Sequence, residues 1–165
     1  MMAKFILSVF IVLITLSLFA YTDDHSETIN TEINIKATPT QVWQVIADIQ
    51  SYSEWNPYQI EAESSLIVGE EIFLTLMWPN GLRIAVTPIV IKIDPENELT
   101  WGGGIKQIFH GHHVFLIQQL SNDSVNFIQK ATFTGILTYL IPFRYPEEGY
   151  RNMNNALKSR VESNI

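Results

Sequence analysis

The chain has 165 residues, 47% hydrophobic and 16% charged, with a net charge of −7. That length supports one domain with a real core, and an acidic chain without a basic block argues against a nucleic-acid partner. The absence of cysteine excludes disulfides, thiolate zinc sites and a cysteine nucleophile.

Lys4 is followed by an uncharged apolar run, residues 5–21, and then by Asp23 and Asp24. The run lacks a polar stripe at helical period. Its length lies between a signal-peptide core and a membrane span. Residues 1–21 are therefore expected to be a signal peptide or a membrane anchor helix. Either one leaves the remainder extracytoplasmic, periplasmic or secreted, or held at a membrane with the domain outside. Residues 22–31 are polar and read as a linker, and residues 32–165 as the domain.

Ile33 and Ile35 alternate with polar neighbours and predict a strand. In KATPTQVW, Thr38 suits a helix N-cap, Pro39 the first turn, and Gln41 completes a capping box. Val42, Val45, Ile46 and Ile49 follow at helical spacing. Ser51 to Trp55 reads as a further turn of helix, stopped before Pro57. The period then changes. Ile72 to Trp78 predicts a strand and Pro79-Asn80-Gly81 a hairpin turn. Arg83 to Ile93 reads as one strand with an edge or bulge at Pro88. Leu99 and Trp101 begin another, expected to end in a flexible turn at Gly102-Gly103-Gly104. Ile108 to Leu120 and Val125 to Thr134 predict a hairpin around residues 121–124. Tyr150, Met153, Leu157 and Val161 mark one face of a closing helix, with Pro142 and Pro146 ahead of it. Strand, helices, about six strands and a helix give an α+β class with an antiparallel sheet.

Several short motifs occur in order along this pattern. They are I-x-A-T-P-x-x-V-W-x-V-I-A-D from Ile35, Y-x-x-W-N-P from Tyr52, L-T-W-G-G from Leu99, F-x-G-x-H-x-F from Phe109, F-x-G-x-L from Phe133 and M-N-x-A-L-K-x-R-x-E from Met153. Together they resemble the START-like (SRPBCC) superfamily, in its small polyketide cyclase/dehydrase-like, lipid-transport-like members, over residues 29 to 163. The resemblance implies a helix-grip: a curved antiparallel β-sheet wrapped around a long C-terminal α-helix. Between them it implies an apolar cavity for lipids, sterols or polyketide-like molecules, in which a few members catalyse cyclisation or dehydration. Fold alone does not choose among these functions.

FHGHHVF, residues 109–115, holds three of the four histidines. Strand alternation puts Phe109, Gly111, His113, Phe115 and Ile117 on one face, and His110, His112 and Val114 on the other. The resemblance turns the first set toward the cavity. His110 and His112 could share an ion, but a zinc site wants a third protein ligand, so no metal and no cofactor is expected. His113 is the candidate acid or base, or a hydrogen-bond partner for ligand. If the hairpin pairs Phe115 with Ala131, His113 lies opposite Phe133, with Gln129 on the same face. Related sequences often carry a carboxylate where this chain has Ala131, which weakens a His–carboxylate pair.

The expected ligand-binding set is Trp78, Trp101, Phe109, His113, Phe115, Gln129, Phe133, Tyr139, Met153 and Leu157. Trp55 and Asn56 are read as a packed corner and a turn-bonding amide. Gly135 to Phe143 is a loop or short helix that gates the cavity or packs over the core. No nucleophile elbow, phosphate loop or dinucleotide fingerprint is present. The leading expectation is non-catalytic binding of a small apolar or amphipathic ligand. A cyclase/dehydrase using His113 and a closed-core protein-interaction domain are the alternatives.

Overall fold

A computed structural model of the chain describes residues 6, 8, 10–15 and 25–163. The described residues among 6–15 are helical, and among the described residues no helix is long and apolar enough to cross a membrane. The expected signal or anchor extends outside the described residues.

Strand β1 spans Ser26–Ile35, so from Ser26 onward the stretch expected as a linker belongs to the sheet. Its partner explains this: β8, Ser124–Thr134, pairs with it from Ser26↔Thr134 to Ile35↔Val125. The polar residues of the stretch occupy ladder positions. Helix α1, Pro39–Ala47, starts at the expected cap. The Thr38 hydroxyl accepts from the Gln41 amide and Gln41 accepts from the Thr38 amide, a closure that stabilises by about 1 kcal/mol. A 3-10 turn, Ile49–Ser51, leads into α2, Tyr52–Trp55.

The remaining strands are β2 (Gln59–Glu63), β3 (Phe73–Met77), β4 (Arg83–Val86), β5 (Ile89–Asp94), β6 (Glu98–Ile105) and β7 (Phe109–Ser121). They form a five-stranded sheet, β1-β8-β7-β6-β5, and a three-stranded sheet, β2-β3-β4. Strand β2 has no clear counterpart in the sequence reading, because Q-I-E-A-E carries charge on alternate positions and little apolar signal. The single strand expected from Arg83 to Ile93 is divided at Thr87-Pro88. Pro88 lacks an amide hydrogen for the ladder, and the chain crosses there from one sheet to the other. Bonds from the Ile72 amide to the Pro88 carbonyl, 2.8 Å, and between residues 69–70 and Val90, 2.9 Å each, tie the sheets together.

The Gly102-Gly103-Gly104 turn is corrected too: all three residues lie within β6. A Cβ on Gly103 would stand 3.1 Å from Pro88 Cα, so the glycine admits the crossing backbone.

Helix α3 spans Arg144–Glu162 and buries Tyr150, Met153, Leu157 and Val161. Pro146 lies inside its first turn rather than ahead of it, where a missing amide costs no helical bond. The core joins α3 to Ile35, Val42, Ile46, Leu99, Phe115 and Phe127. The result is an antiparallel sheet set against a C-terminal helix.

Candidate functional site

The β7–β8 hairpin positions the site. Its turn closes at Ser121↔Ser124, with a shift between Gln119 and Ser121, and its ladder pairs Phe115 with Gln129, His113 with Ala131 and Gly111 with Phe133. The expected pairing of Phe115 with Ala131 is therefore two residues out of register. A slip of two keeps every side chain on its face, so the in–out pattern survives while the neighbours change. His113 is directly opposite Ala131, the position that could have supplied a carboxylate and does not.

Strand β6 completes the pattern on the other side. Trp101 pairs with His113, and Gly103 with Gly111. Two adjacent strands thus present bare backbone beside an imidazole and an indole. Above Gly111, the Phe133 ring lies 3.3 Å from where a Cβ would stand. It stacks on Phe109 at 5.7 Å and meets Phe143 at 5.2 Å.

Missing side chains on the sheet leave a cavity of about 490 Å³ between the strands and the start of α3. Ligand pockets commonly run from about 300 to 1,000 Å³. Apolar residues dominate the wall, including Leu74, Leu76, Trp78, Ile84 and Val86, and among the described residues no Asp, Glu, Lys or Arg lines it. Tyr58, Gln59, His113 and Tyr150 are the buried polar side chains that do.

Of the expected ligand-binding residues, Trp78, Trp101, Phe109, His113 and Phe133 line this cavity. Phe115, Gln129, Met153 and Leu157 do not: all four are fully packed in the core beneath it. Tyr139 is also misplaced, lying 56% exposed and stacked on His25 at 4.1 Å. The 3-10 turn that carries it, Ile136–Leu140, faces Tyr139 outward, while Ile141 and Phe143 just beyond reach the cavity.

Tyr58 and Gln59 escaped the sequence reading, and Tyr150 was expected on the closing helix's face but not in the cavity wall. Asn56 sets the first two. Its Oδ1 accepts from the amides of Tyr58, 3.0 Å, and Gln59, 2.9 Å, turning the chain into β2. That is the turn-bonding role expected of Asn56. The signal for Tyr58 was available only in part, because the W-N-P corner marks a turn without saying what the turn aims.

The His113 ring is enclosed by aromatic groups. It stacks on Tyr150 with centroids 4.9 Å apart and planes 21° apart. Trp101 and Phe115 meet it edge-on at 5.3 and 4.6 Å. Burial pushes its pKa from 6.5 down to about 3. The nearby Gln129 amide opposes that shift and the His112 charge adds to it. In the cavity wall, His113 Nε2 and Gln59 Oε1 are buried without a hydrogen-bond partner among the described residues, a costly condition for polar atoms in an apolar wall.

Gln129 holds the underside. Its amide nitrogen donates to Asn154 Oδ1 and, at 3.3 Å, to the Tyr150 carbonyl. Asn154 in turn donates to Thr31 Oγ1 at 3.2 Å. Burial raises the pKa of the Tyr58 and Tyr150 hydroxyls well above the ordinary tyrosine value, so both stay protonated and able to donate.

His110 does not line the cavity, whereas His112 borders it while being exposed. Among the described residues no three His, Asp or Glu side chains converge as a metal site would require. The arrangement offers an apolar volume and neutral hydrogen-bonding groups, and among the described residues no carboxylate in the wall to exchange protons with the imidazole.

A sequence model of the family described as polyketide cyclase/dehydrase and lipid transport matches residues 26–162. A search of curated proteins gives no match. Among solved structures, a START superfamily protein from Mycobacterium smegmatis is similar over 84% of this chain and 99% of its own. Its TM-score is 0.69 and its identity 16%. The Zhui aromatase/cyclase from Streptomyces sp. R1128 covers 84% of this chain and 94% of its own, at TM-score 0.67 and 17% identity. A norcoclaurine synthase from Thalictrum flavum covers 87% and 98%, at TM-score 0.64 and 14% identity. At these identities the structural likeness speaks for the fold.

Proposed function

The chain belongs to the polyketide cyclase/dehydrase and lipid transport family, in the START-like superfamily, and from that premise we propose that it binds a small, uncharged, largely hydrophobic ligand without transforming it. The observation that carries this reading is the wall itself: a volume of about 490 Å³ lined mostly by apolar groups and, among the described residues, by no Asp, Glu, Lys or Arg. Taking a charged ligand into such a wall would leave its charge unpaired, whereas an apolar body gains from leaving water. The buried His113 Nε2 and Gln59 Oε1 would orient a ligand hydroxyl, a few polar groups in an apolar pocket being the usual division of labour.

Acid–base catalysis fits less well. A general base works best with a pKa near the operating pH, and His113 lies far below it with Ala131 opposite. The reading also keeps the domain outside the cytoplasm, on the support of the apolar run and the charges that flank it in the sequence.

Intrinsic fluorescence tests the binding claim. Trp78 and Trp101 line the cavity, and Trp43 and Trp55 do not. Titration with the uncharged probe N-phenyl-1-naphthylamine should quench tryptophan emission and be reversed by a long-chain alcohol. A probe that leaves the emission unchanged would contradict the reading.

A further inference from the structure

Beside the cavity lies an apolar rim that the binding reading does not use. The β6–β7 turn exposes Ile105, 65%, and Ile108, 47%, and the 3-10 turn exposes Leu137, 40%, Tyr139, 56%, and Leu140, 78%. Two backbone bonds join these turns, from Ile136 to the Gln107 carbonyl and from Leu137 to the Ile108 carbonyl, each 3.0 Å. Their chain neighbours Gly104, Phe109, Ile141 and Phe143 line the cavity, so the rim borders it. Exposed large apolar side chains held together on a rigid support mark an interaction site.

Where the chain enters the domain identifies the occupant. The His25 ring bonds the Thr138 hydroxyl at 2.8 Å and stacks on Tyr139, which fixes residue 25 at this rim. The apolar run ends at Tyr21 in the sequence. In the sequence, an uncharged apolar run thus ends four residues before the residue that is fixed at the exposed apolar rim. Lys106, between Ile105 and Ile108, and Arg144, after Phe143, are exposed cations in the same segments, suited to lipid phosphates.

We propose that this rim docks on the surface of a lipid bilayer, with Ile105, Ile108, Leu137 and Leu140 entering the headgroup–acyl boundary and the cavity beside them facing the lipid. Docking does not require the cavity to hold a ligand, so it stands or falls separately from the binding reading.

The lack of cysteine permits a direct test on the full chain. Leu140→Cys and, at the opposite end of the β7–β8 hairpin, Asn122→Cys are each labelled with a nitrobenzoxadiazole fluorophore. Both are reconstituted with phosphatidylcholine vesicles carrying a tail-linked spin label. Quenching at 140 without quenching at 122, and its loss when Ile105→Glu is added, is the expected result. No quenching at 140, equal quenching at both positions, or indifference to Ile105→Glu overturns the proposal. All three side chains are exposed, and unchanged thermal unfolding checks that each variant folds.

Discussion

Tyr150 of α3 stacks on His113 of β7 at 4.9 Å, so the helix that closes the fold also covers the buried imidazole of the cavity wall. Burial keeps the ring neutral at ordinary pH, and aromatic groups enclose it.

A pH dependence of stability follows. His113 has a folded pKa of about 3 against 6.5, so between those values the unfolded chain binds the extra proton. Stability from this group is complete above about pH 6.5 and falls as the pH drops toward 3, by at most about 1.4 kcal/mol per unit. Urea unfolding at neutral pH and near pH 5 should show a smaller acid loss for His113→Phe than for the parent. Equal losses would contradict the buried neutral ring.

The amide network beneath the ring should also be measurable. Replacing Asn154 by leucine removes the acceptor of Gln129 and the donor to Thr31. Leaving buried polar groups unpaired costs about 1–3 kcal/mol. The urea midpoint should fall accordingly, and an unchanged midpoint would count against the network.

Gly149 offers a test in which propensity and packing oppose each other. In an open helix, alanine beats glycine by about 0.5–1 kcal/mol. Here a Cβ would lie 2.1 Å from the Tyr58 ring. Gly149→Ala should therefore destabilise, by about 1–3 kcal/mol, and weaken probe uptake as Tyr58 moves in the wall. A rise in melting temperature would refute the close contact.

Gly111→Val fills the bare backbone beside His113. Its side chain presses on Phe133, so the cavity shrinks while the strand keeps a residue type it favours. Affinity for N-phenyl-1-naphthylamine should fall by about tenfold, roughly 1.4 kcal/mol, with circular dichroism unchanged. Parental affinity would place the probe elsewhere.

What could be read in the sequence divides along the range of the interaction. The Thr38–Gln41 cap, the residue 121–124 turn and the Tyr150–Val161 face are local patterns, and the structure contains each of them. The in–out division of residues 109–117 is also local and holds. The register is not local. A hairpin two residues out of register has the same alternation, so periodicity could not distinguish Ala131 from Gln129 as the partner of Phe115. The crossing at Thr87-Pro88 and the glycines that admit it involve different strands, and no single window shows both. Tyr139 and Phe143 lie in one apolar stretch, and only the 3-10 turn that carries Tyr139 and ends before Phe143 leaves one exposed and the other at the cavity.

The central claim is that the cavity holds an uncharged hydrophobic molecule. Native mass spectrometry of the full chain purified from cells tests it most directly. The account predicts a bound neutral mass that is lost on denaturation and is depleted in Gly111→Val. A mass retained equally by both proteins, or parent protein that carries none and takes up no probe, would contradict it.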